Sequence, residues 1–155
     1  MKTSLKVDNI LRQINESTKL GDLRKMAKEI KKDHALAMEL WSSDDFLPRQ
    51  LAILIMDKNQ LSQQTIDVLC NDICQHNEYE RLQLIDWLMA NQLAKVKATI
   101  TLMESWENSP LPLQRRIFWY YQGRLRWVGQ TPPENTEYLL SKIEKGIEKE
   151  NPEVQ

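Results

Sequence analysis

The chain has 155 residues and a formal net charge of −1, so the molecule as a whole has no long-range attraction to nucleic acid or to an anionic membrane. Its four glycines and two phenylalanines, among many Leu, Ile, Lys, Glu and Gln residues, favour helices over sheets. The length fits one domain, no segment approaches the ~20 apolar residues of a membrane span, and the first residues carry no signal-peptide pattern. We therefore expect an all-α, cytoplasmic protein that does not contact a membrane.

Apolar spacing and capping signals predict helices along the whole chain. A leading helix is predicted over residues 5–14, and Asp22 is predicted to cap a second helix whose basic end, Lys28, Lys31 and Lys32, suits the helix dipole without any ligand. Three pairs of an outer and an inner helix follow, with predicted bounds 34–41 and 46–58, 63–75 and 78–92, and 95–106 and 112–128. Ser42, Ser43 and Asp44 are predicted to cap the first inner helix, and Ser62 the second outer one. The inner helix 78–92 is expected to be the most buried element.

The last predicted helix begins at a capping signal. Thr131 is expected to cap it, Pro132 to occupy the first helical position and Glu134 to complete a capping box, with a helix running to about Lys149. The helix is then broken at Asn151-Pro152, and the sequence stops where a further inner helix is expected. We therefore expect a single repeat domain over residues 1–155 that is truncated at its C-terminus.

A recurring pattern indicates how these helices are arranged. Two stretches are alike at offsets of 65 and then 64 residues: Met38-Glu39-Leu40-Trp41 with Leu47-Pro48-Arg49-Gln50, and Met103-Glu104-Ser105-Trp106 with Leu111-Pro112-Leu113-Gln114. Midway, Gln83 lies 33 residues after Gln50 and 31 residues before Gln114. This period predicts two-helix units stacked as an α-solenoid, because one helix pair cannot bury its own apolar face.

The segment from Pro112 to Gln130 has the strongest chemical signal. It carries no acidic residue and a local charge of +4, from Arg115, Arg116, Arg124 and Arg126. On a helical wheel, one stripe holds Arg115, Trp119, Gln122 and Arg126, opposite an apolar side of Ile117, Phe118, Tyr121, Leu125 and Val128. Guanidinium groups bind phosphate bidentately and an indole offers a stacking face, so the stripe has the chemistry of a nucleic-acid surface. A solvated arginine face with Trp119 packed on a neighbouring repeat explains the same pattern.

Other reactive residue types have structural explanations. Trp41 and Trp106 occupy equivalent repeat positions and are expected to pack between repeats, and Trp87 is expected in the core. Cys70 and Cys74 are expected to be two small buried hydrophobic residues. No metal-binding spacing, phosphate-binding glycine loop or nucleophile elbow occurs, so the sequence predicts neither a metal nor a cofactor.

Several stretches resemble the bacterial DNA alkylation repair family, the HEAT-like alkylpurine DNA glycosylases, over about residues 20–155. They are Ala35 to Trp41, Ile55 to Lys58 and, above all, Pro112-Leu113-Gln114-Arg115-Arg116. The resemblance implies a right-handed superhelical stack of HEAT-like helical hairpins with a basic concave face that holds duplex DNA. It also implies a glycosylase that releases cationic N3- or N7-alkylated purines.

The resemblance carries over only part of the catalytic site. The family has a Trp and, four residues later, a catalytic Asp, and the repeat register places Glu78 and Leu82 there. Leu82 supplies no carboxylate; Glu78, Glu80 or Asp86 could stand in, although acidic residues in a first helical turn usually serve the helix dipole. The family's Arg in its Leu-Gln-Arg pattern matches Arg115, and a further Trp would lie beyond Gln155.

The sequence therefore predicts a monomeric DNA-binding repeat protein of the alkylation repair type. Arg115, Arg116 and Arg126 are expected to bind phosphate, and Trp119 to pack on the duplex. Whether a glycosylase activity that uses Glu78 or Glu80 remains is left open. The alternative is a protein-interaction scaffold without catalytic activity, since stacked helix pairs also make concave peptide-binding surfaces.

Overall fold

The computed structural model describes residues 4–127 and 129–155. These residues form α-helices, 3-10 helices and turns, and no strand occurs among them. The all-α prediction is therefore confirmed. The α-helices of the described residues are α1 Leu5–Gln13, α2 Leu20–Ile30, α3 His34–Trp41, α4 Phe46–Ile55, α5 Gln63–Ile73, α6 Glu78–Asn91, α7 Lys97–Glu104, α8 Pro112–Arg124 and α9 Thr136–Gly146. Short 3-10 helices lie at Lys58–Gln60, Leu93–Lys95, Trp106–Asn108 and Ile147–Lys149. Within these described ranges, no helix has the length and apolar character needed to cross a bilayer.

The chain divides into two compact units. Unit 1 ends at Thr99 and unit 2 begins at Ile100, within α7. Each unit has its own buried residues, including Leu51 and Ile53 in unit 1 and Leu113 in unit 2. The expectation that residues 1–155 form one repeat domain stays a prediction.

Helix α4 is the centre of unit 1. It packs against α2, α3 and α6, while α5 packs on α6 and α1 on α3. Seven of its ten residues are buried, against four of the fourteen in α6. The prediction that residues 78–92 form the most buried element is therefore wrong, and Tyr79 and Gln83 in the first two turns of α6 are exposed.

Several residues that are predicted to cap a helix form other hydrogen bonds in the structure. Helix α2 begins before Asp22, at Leu20, and the Asp22 carboxylate accepts a hydrogen bond from the Lys19 backbone N–H at 2.9 Å. The hydroxyls of Ser42 and Ser43 donate back to carbonyls of α3, at 2.9 and 2.8 Å, so they satisfy the end of α3 and do not cap α4. Ser62 does cap α5 as predicted, because its hydroxyl accepts from the Thr65 N–H at 3.1 Å.

Helix α9 begins at Thr136, after the predicted capping box at 131–134. Pro133 explains the delay, because a proline disfavours the helical conformation of the residue before it, which here is Pro132. Several predicted helices are also too long: α4 ends at Ile55, α5 at Ile73, α7 at Glu104, α8 at Arg124 and α9 at Gly146. The predicted position of Val128 on the apolar face lies outside the described residues.

The tryptophans and cysteines follow the sequence prediction in part. Trp41 and Trp106 are 4% and 3% exposed, which confirms their burial. Trp87 is only half-buried, and the prediction that it belongs to the core is wrong. Cys70 is buried, but Cys74 is exposed because it follows the last residue of α5.

A buried arginine joins three helices of unit 1. Arg49 is 3% exposed, and its guanidinium lies over the Trp41 ring at 4.7 Å from the ring centroid. It donates to the carbonyls of Trp41 and Asp72 at 3.0 and 3.3 Å, to Asp44 Oδ1 at 2.7 Å and to His76 Nε2 at 2.9 Å. Every nitrogen of the group therefore has an acceptor, as burial of a guanidinium requires.

Replacing Arg49 with Ala should destabilise the protein by about 2–4 kcal/mol, because buried acceptors lose their donor and a cavity remains. Chemical denaturation monitored by circular dichroism measures the change. Arg12→Ala, which removes the same group from an exposed position of α1, is the matched control and should change the free energy of unfolding by less than about 0.5 kcal/mol. Equal effects of the two substitutions would contradict the structural role of Arg49.

Candidate nucleic-acid interface

Helix α8 carries the arginines that the sequence singles out. Pro112 occupies its first turn, where a missing N–H costs nothing. The helix buries Leu113, Gln114, Ile117, Phe118 and Gln122. Gln122 belongs to the polar stripe that is predicted to lie opposite the apolar side of the helix. Its burial shows that part of this stripe is packed inside the protein, contrary to that prediction. Within unit 2, the segment that follows α8 covers the stripe.

Arg115 is held by a carboxylate of that segment. Its Nε lies 3.1 Å from Glu150 Oε2 and its Nη2 lies 2.7 Å from Glu150 Oε1, which is a bidentate fork, and Nη1 donates to the Ser109 carbonyl at 2.8 Å. The hydrogen bond from Arg115 is the main reason that the pKa of Glu150 is lowered from its ordinary value, although partial burial opposes it. The fork of Arg115 therefore already holds an oxyanion.

Arg126 makes a different kind of contact. Its guanidinium donates to the carbonyl and side-chain oxygens of Gln122 at 2.8 and 3.0 Å, to Thr136 Oγ1 at 3.0 Å and to Asn135 Oδ1 at 2.8 Å. These acceptors are neutral and lie at the end of α8 and the start of α9. Arg126 thus joins the two helices, and no carboxylate in these contacts neutralises its charge.

Arg116 contacts the C-terminal segment through the backbone, since its Nη1 donates to the Glu153 carbonyl at 3.0 Å. Arg115 and Arg116 are therefore both bound by residues 150–153. The sequence did not indicate this, because Glu150 lies 35 residues from Arg115 and the only local signal there is a helix break at Asn151-Pro152. No spacing rule connects residues that far apart.

Trp119 lies beside Arg115 on a cavity. The ring is half-buried and meets Phe118 edge to face, with centroids 5.1 Å apart. The cavity has a volume of about 600 Å³ and is also lined by Lys142, Ile143 and Ile147. An aromatic face, an apolar wall and cationic groups converge there, and the volume lies within the usual range of small-molecule sites. Arg115 and Trp119 are thus together as predicted, whereas Arg126 is not among the lining residues.

The carboxylates proposed for catalysis lie in unit 1, at the start of α6. Glu78 is exposed, and Glu80 is half-buried with Oε1 2.9 Å from His76 Nδ1. Because Arg49 can only donate, His76 Nε2 accepts in this contact, and Nδ1 donates to Glu80 Oε1. Both ring nitrogens are therefore engaged in hydrogen bonds. The hydrogen bond between His76 and Glu80 thus extends the hydrogen-bond network of Arg49.

Leu82 is the residue for which the sequence analysis predicts the register position of a catalytic Asp. It is half-buried on α6, two residues after Glu80 and on a different side of the helix. A leucine offers no charge to stabilise a developing cation. Among residues 4–127 and 129–155, no cluster of His, Cys, Asp and Glu could hold a metal ion.

A sequence comparison shows the family to which the chain belongs. The chain matches the sequence model of the family described as DNA alkylation repair enzyme over residues 17–155, and it therefore belongs to that family. The match covers the Leu-Gln-Arg position at Arg115 and continues to the end of the C-terminal segment. No curated protein and no solved structure matches the chain significantly.

The contact between Arg115 and Glu150 should make stability depend on pH. A lowered pKa means that the ionised carboxylate stabilises the fold fully above its ordinary value of 4.5, and that this contribution is lost as the pH falls below that value. Glu150→Gln should therefore cost about 0.5–1 kcal/mol at pH 7, a small value because the pair is partly exposed, and progressively less in acid. Denaturant titrations at pH 7 and pH 3.5 measure it. Glu148→Gln, exposed in the preceding turn, is the control; a Glu150 effect of the same size at both pH values would contradict the ion pair.

Proposed function

We propose that this chain is a DNA-binding repeat protein of the alkylation repair type, which engages duplex DNA without excising bases efficiently. The proposal includes the finer architecture, a right-handed superhelical stack of HEAT-like hairpins in one domain. In unit 1, the pairs α3 with α4 and α5 with α6 pack as such hairpins would. Family membership supports a role in DNA repair, and the chemistry of α8 supports the DNA contact.

The observation that carries the proposal is the bidentate fork of Arg115. The Nε and Nη2 groups of a guanidinium donate to two phosphate oxygens in the same planar geometry in which Arg115 donates to the Glu150 carboxylate. Trp119 lies next to this edge and offers an indole face on the adjacent cavity. A charged donor and a stacking surface side by side suit a nucleic-acid backbone with a neighbouring base or sugar.

Glu150 occupies the place that a phosphate would take. If DNA binds Arg115, the carboxylate has to leave, and the free energy of the ion pair is subtracted from the binding free energy. The C-terminal segment thus weakens the DNA contact without abolishing it, because a partly exposed pair contributes only about 1 kcal/mol.

Arg115→Ala should lower affinity for a duplex about five- to tenfold and reduce the slope of log affinity against log salt by about 1, since one phosphate contact is lost. Glu150→Gln should raise affinity a few-fold for the opposite reason. Fluorescence anisotropy with a labelled duplex at several salt concentrations measures both. Glu148→Gln removes the same charge from an exposed position of the preceding turn and should leave the affinity and the salt slope close to those of the unaltered chain. Affinity and salt slope that are unchanged in Arg115→Ala would remove Arg115 from the interface, and binding that is insensitive to salt would favour a protein-interaction scaffold.

The proposal of inefficient base excision rests on Leu82, which stands where the resemblance implies a catalytic Asp. Cleavage of a glycosidic bond develops positive charge on the sugar, and a fixed carboxylate stabilises it. Leu82 cannot do so, and Glu80 is engaged with His76 in unit 1. Binding to DNA with little base release is the function that this set of residues supports best.

Incubation of the protein with methylated duplex DNA should release no alkylated base above the heat control. Chromatography of the released bases measures this directly, and Glu78→Gln and Glu80→Gln should leave the background unchanged. Release by the unaltered chain that either substitution abolishes would establish a residual glycosylase and contradict this part of the proposal.

A further inference from the structure

Helix α9 of unit 2 presents an apolar stripe to solvent. Leu140, Ile143 and Ile147 are 56%, 36% and 43% exposed, and their spacing of three and four residues places them on one side of the helix. Ile147 continues the last turn of α9, because its backbone N–H donates to the Ile143 carbonyl. Among the residues of α9, all of which the structure describes, only Leu139 is buried. A row of exposed apolar side chains with the spacing of a helix–helix seam is typical of a surface that binds another chain.

A row of carboxylates follows one edge of this stripe. Glu137 and Glu144 lie three and four residues from Leu140, so they are its neighbours on the helix surface, and Glu148 lies one turn after Glu144. All three are exposed, and in the part of the chain that the structure describes none of them takes part in an ion pair. The helix dipole favours Glu137 in the first turn but disfavours Glu144 and Glu148 at the C-terminal end. A cation brought by a partner would offset that unfavourable placement.

The cavity beside Trp119 borders the other edge of the stripe. Ile143 and Ile147 belong both to the stripe and to the cavity wall, so the two form one continuous surface. The charged groups of the cavity are paired with each other: Arg115 with Glu150 at 2.7 Å, and Lys142 with Glu107 at 2.9 Å. The volume of about 600 Å³ has room for a large apolar side chain, which would contact the indole of Trp119. A side chain buried in such a pocket is the kind of anchor that contributes most to the affinity of an interface.

We propose that this surface, formed by the stripe, its acidic edge and the adjoining cavity, binds an amphipathic helix of a protein partner whose apolar row is flanked by lysines or arginines. The apolar row packs on Leu140, Ile143 and Ile147, one of its large side chains enters the cavity, and its cations face Glu137 and Glu144. Recognition of this kind uses anchors three, four and seven residues apart. The inference goes beyond the proposed function and does not depend on DNA binding.

Other occupants fit the charges of this surface less well. The carboxylates repel nucleic acid and anionic lipid. A second copy that pairs its own stripe in the antiparallel sense brings two acidic rows together. In the parallel sense, each acidic row faces Leu139 and Gly146, which carry no charge. Charge complementarity therefore favours a basic helix of a different protein.

The first test measures the apolar contact. The probe is a labelled synthetic peptide of about five helical turns, with leucines spaced three and four residues apart and lysines on both sides of them. It should bind the unaltered chain, and Leu140→Ala should weaken this binding about tenfold, as measured by fluorescence anisotropy. Leu5→Ala, which truncates the same residue type at a 73% exposed position of α1, is the matched control and should leave the affinity unchanged.

The second test measures the charge complementarity. Glu137→Gln with Glu144→Gln should weaken binding of the lysine peptide about fivefold at low salt and less at high salt, because screening removes the attraction. The control, Glu16→Gln with Glu29→Gln, removes the same charge from exposed positions of unit 1. A second peptide with glutamates in place of the lysines should bind the unaltered chain about tenfold more weakly. Circular dichroism and thermal melting should show that all variants are folded, as expected for exposed side chains.

Several results would overturn the inference. They are absence of binding of the lysine peptide to the unaltered chain, equal binding by Leu140→Ala and Leu5→Ala, and equal binding of the lysine and glutamate peptides. Sedimentation of the unaltered chain tests the second copy: a dimer that Leu140→Ala dissociates would show that another copy covers the stripe, and it would also overturn the proposed partner. Duplex binding in the same preparations reports separately on the proposed function, because Leu140 does not contact Arg115.

Discussion

A guanidinium group that leaves water needs acceptors for its N–H groups, and this constraint organises both units of the protein. In unit 1, the buried Arg49 donates to two carbonyls, a carboxylate and a histidine nitrogen. In unit 2, Arg126 joins α8 to α9 through neutral oxygens, and Arg115 binds Glu150. Arg49, Arg115 and Arg126 thus contribute to packing within their own units.

This division changes which charges are available to a ligand. The sequence alone suggests that every arginine of the segment is available to a ligand. In the structure, Arg126 joins two helices and Arg115 is bound to the carboxylate of Glu150. Within unit 1, Arg24 of α2 is likewise engaged, because its guanidinium lies over the Trp87 ring.

The sequence predicts local structure well and distant contacts poorly, for physical reasons. Helix α3 has the predicted bounds, and Ser62 caps α5, because apolar periodicity and capping depend on residues within one or two turns. The start of α9 was predicted too early because two adjacent prolines impose opposite preferences, one favouring the first turn and one disfavouring the residue before it. The partner of Arg115 could not be predicted, because 35 residues separate it from Glu150.

The same limit applies to the candidate sites. Arg115 and Trp119 were found from a helical wheel, since they share one face of one helix. Arg24 and Trp87 lie on different helices, so no helical wheel indicates the contact between them. Only the packing of α2 and α6 on α4 brings the two side chains together.

A double-mutant cycle in chemical denaturation tests most directly the claim that Arg115 is held by an internal carboxylate. The free energies of unfolding of the unaltered chain, Arg115→Ala, Glu150→Gln and the double variant are compared at pH 7. A coupling free energy of about 0.5–1 kcal/mol between the two positions is the predicted result. Effects of the two substitutions that simply add would contradict the account.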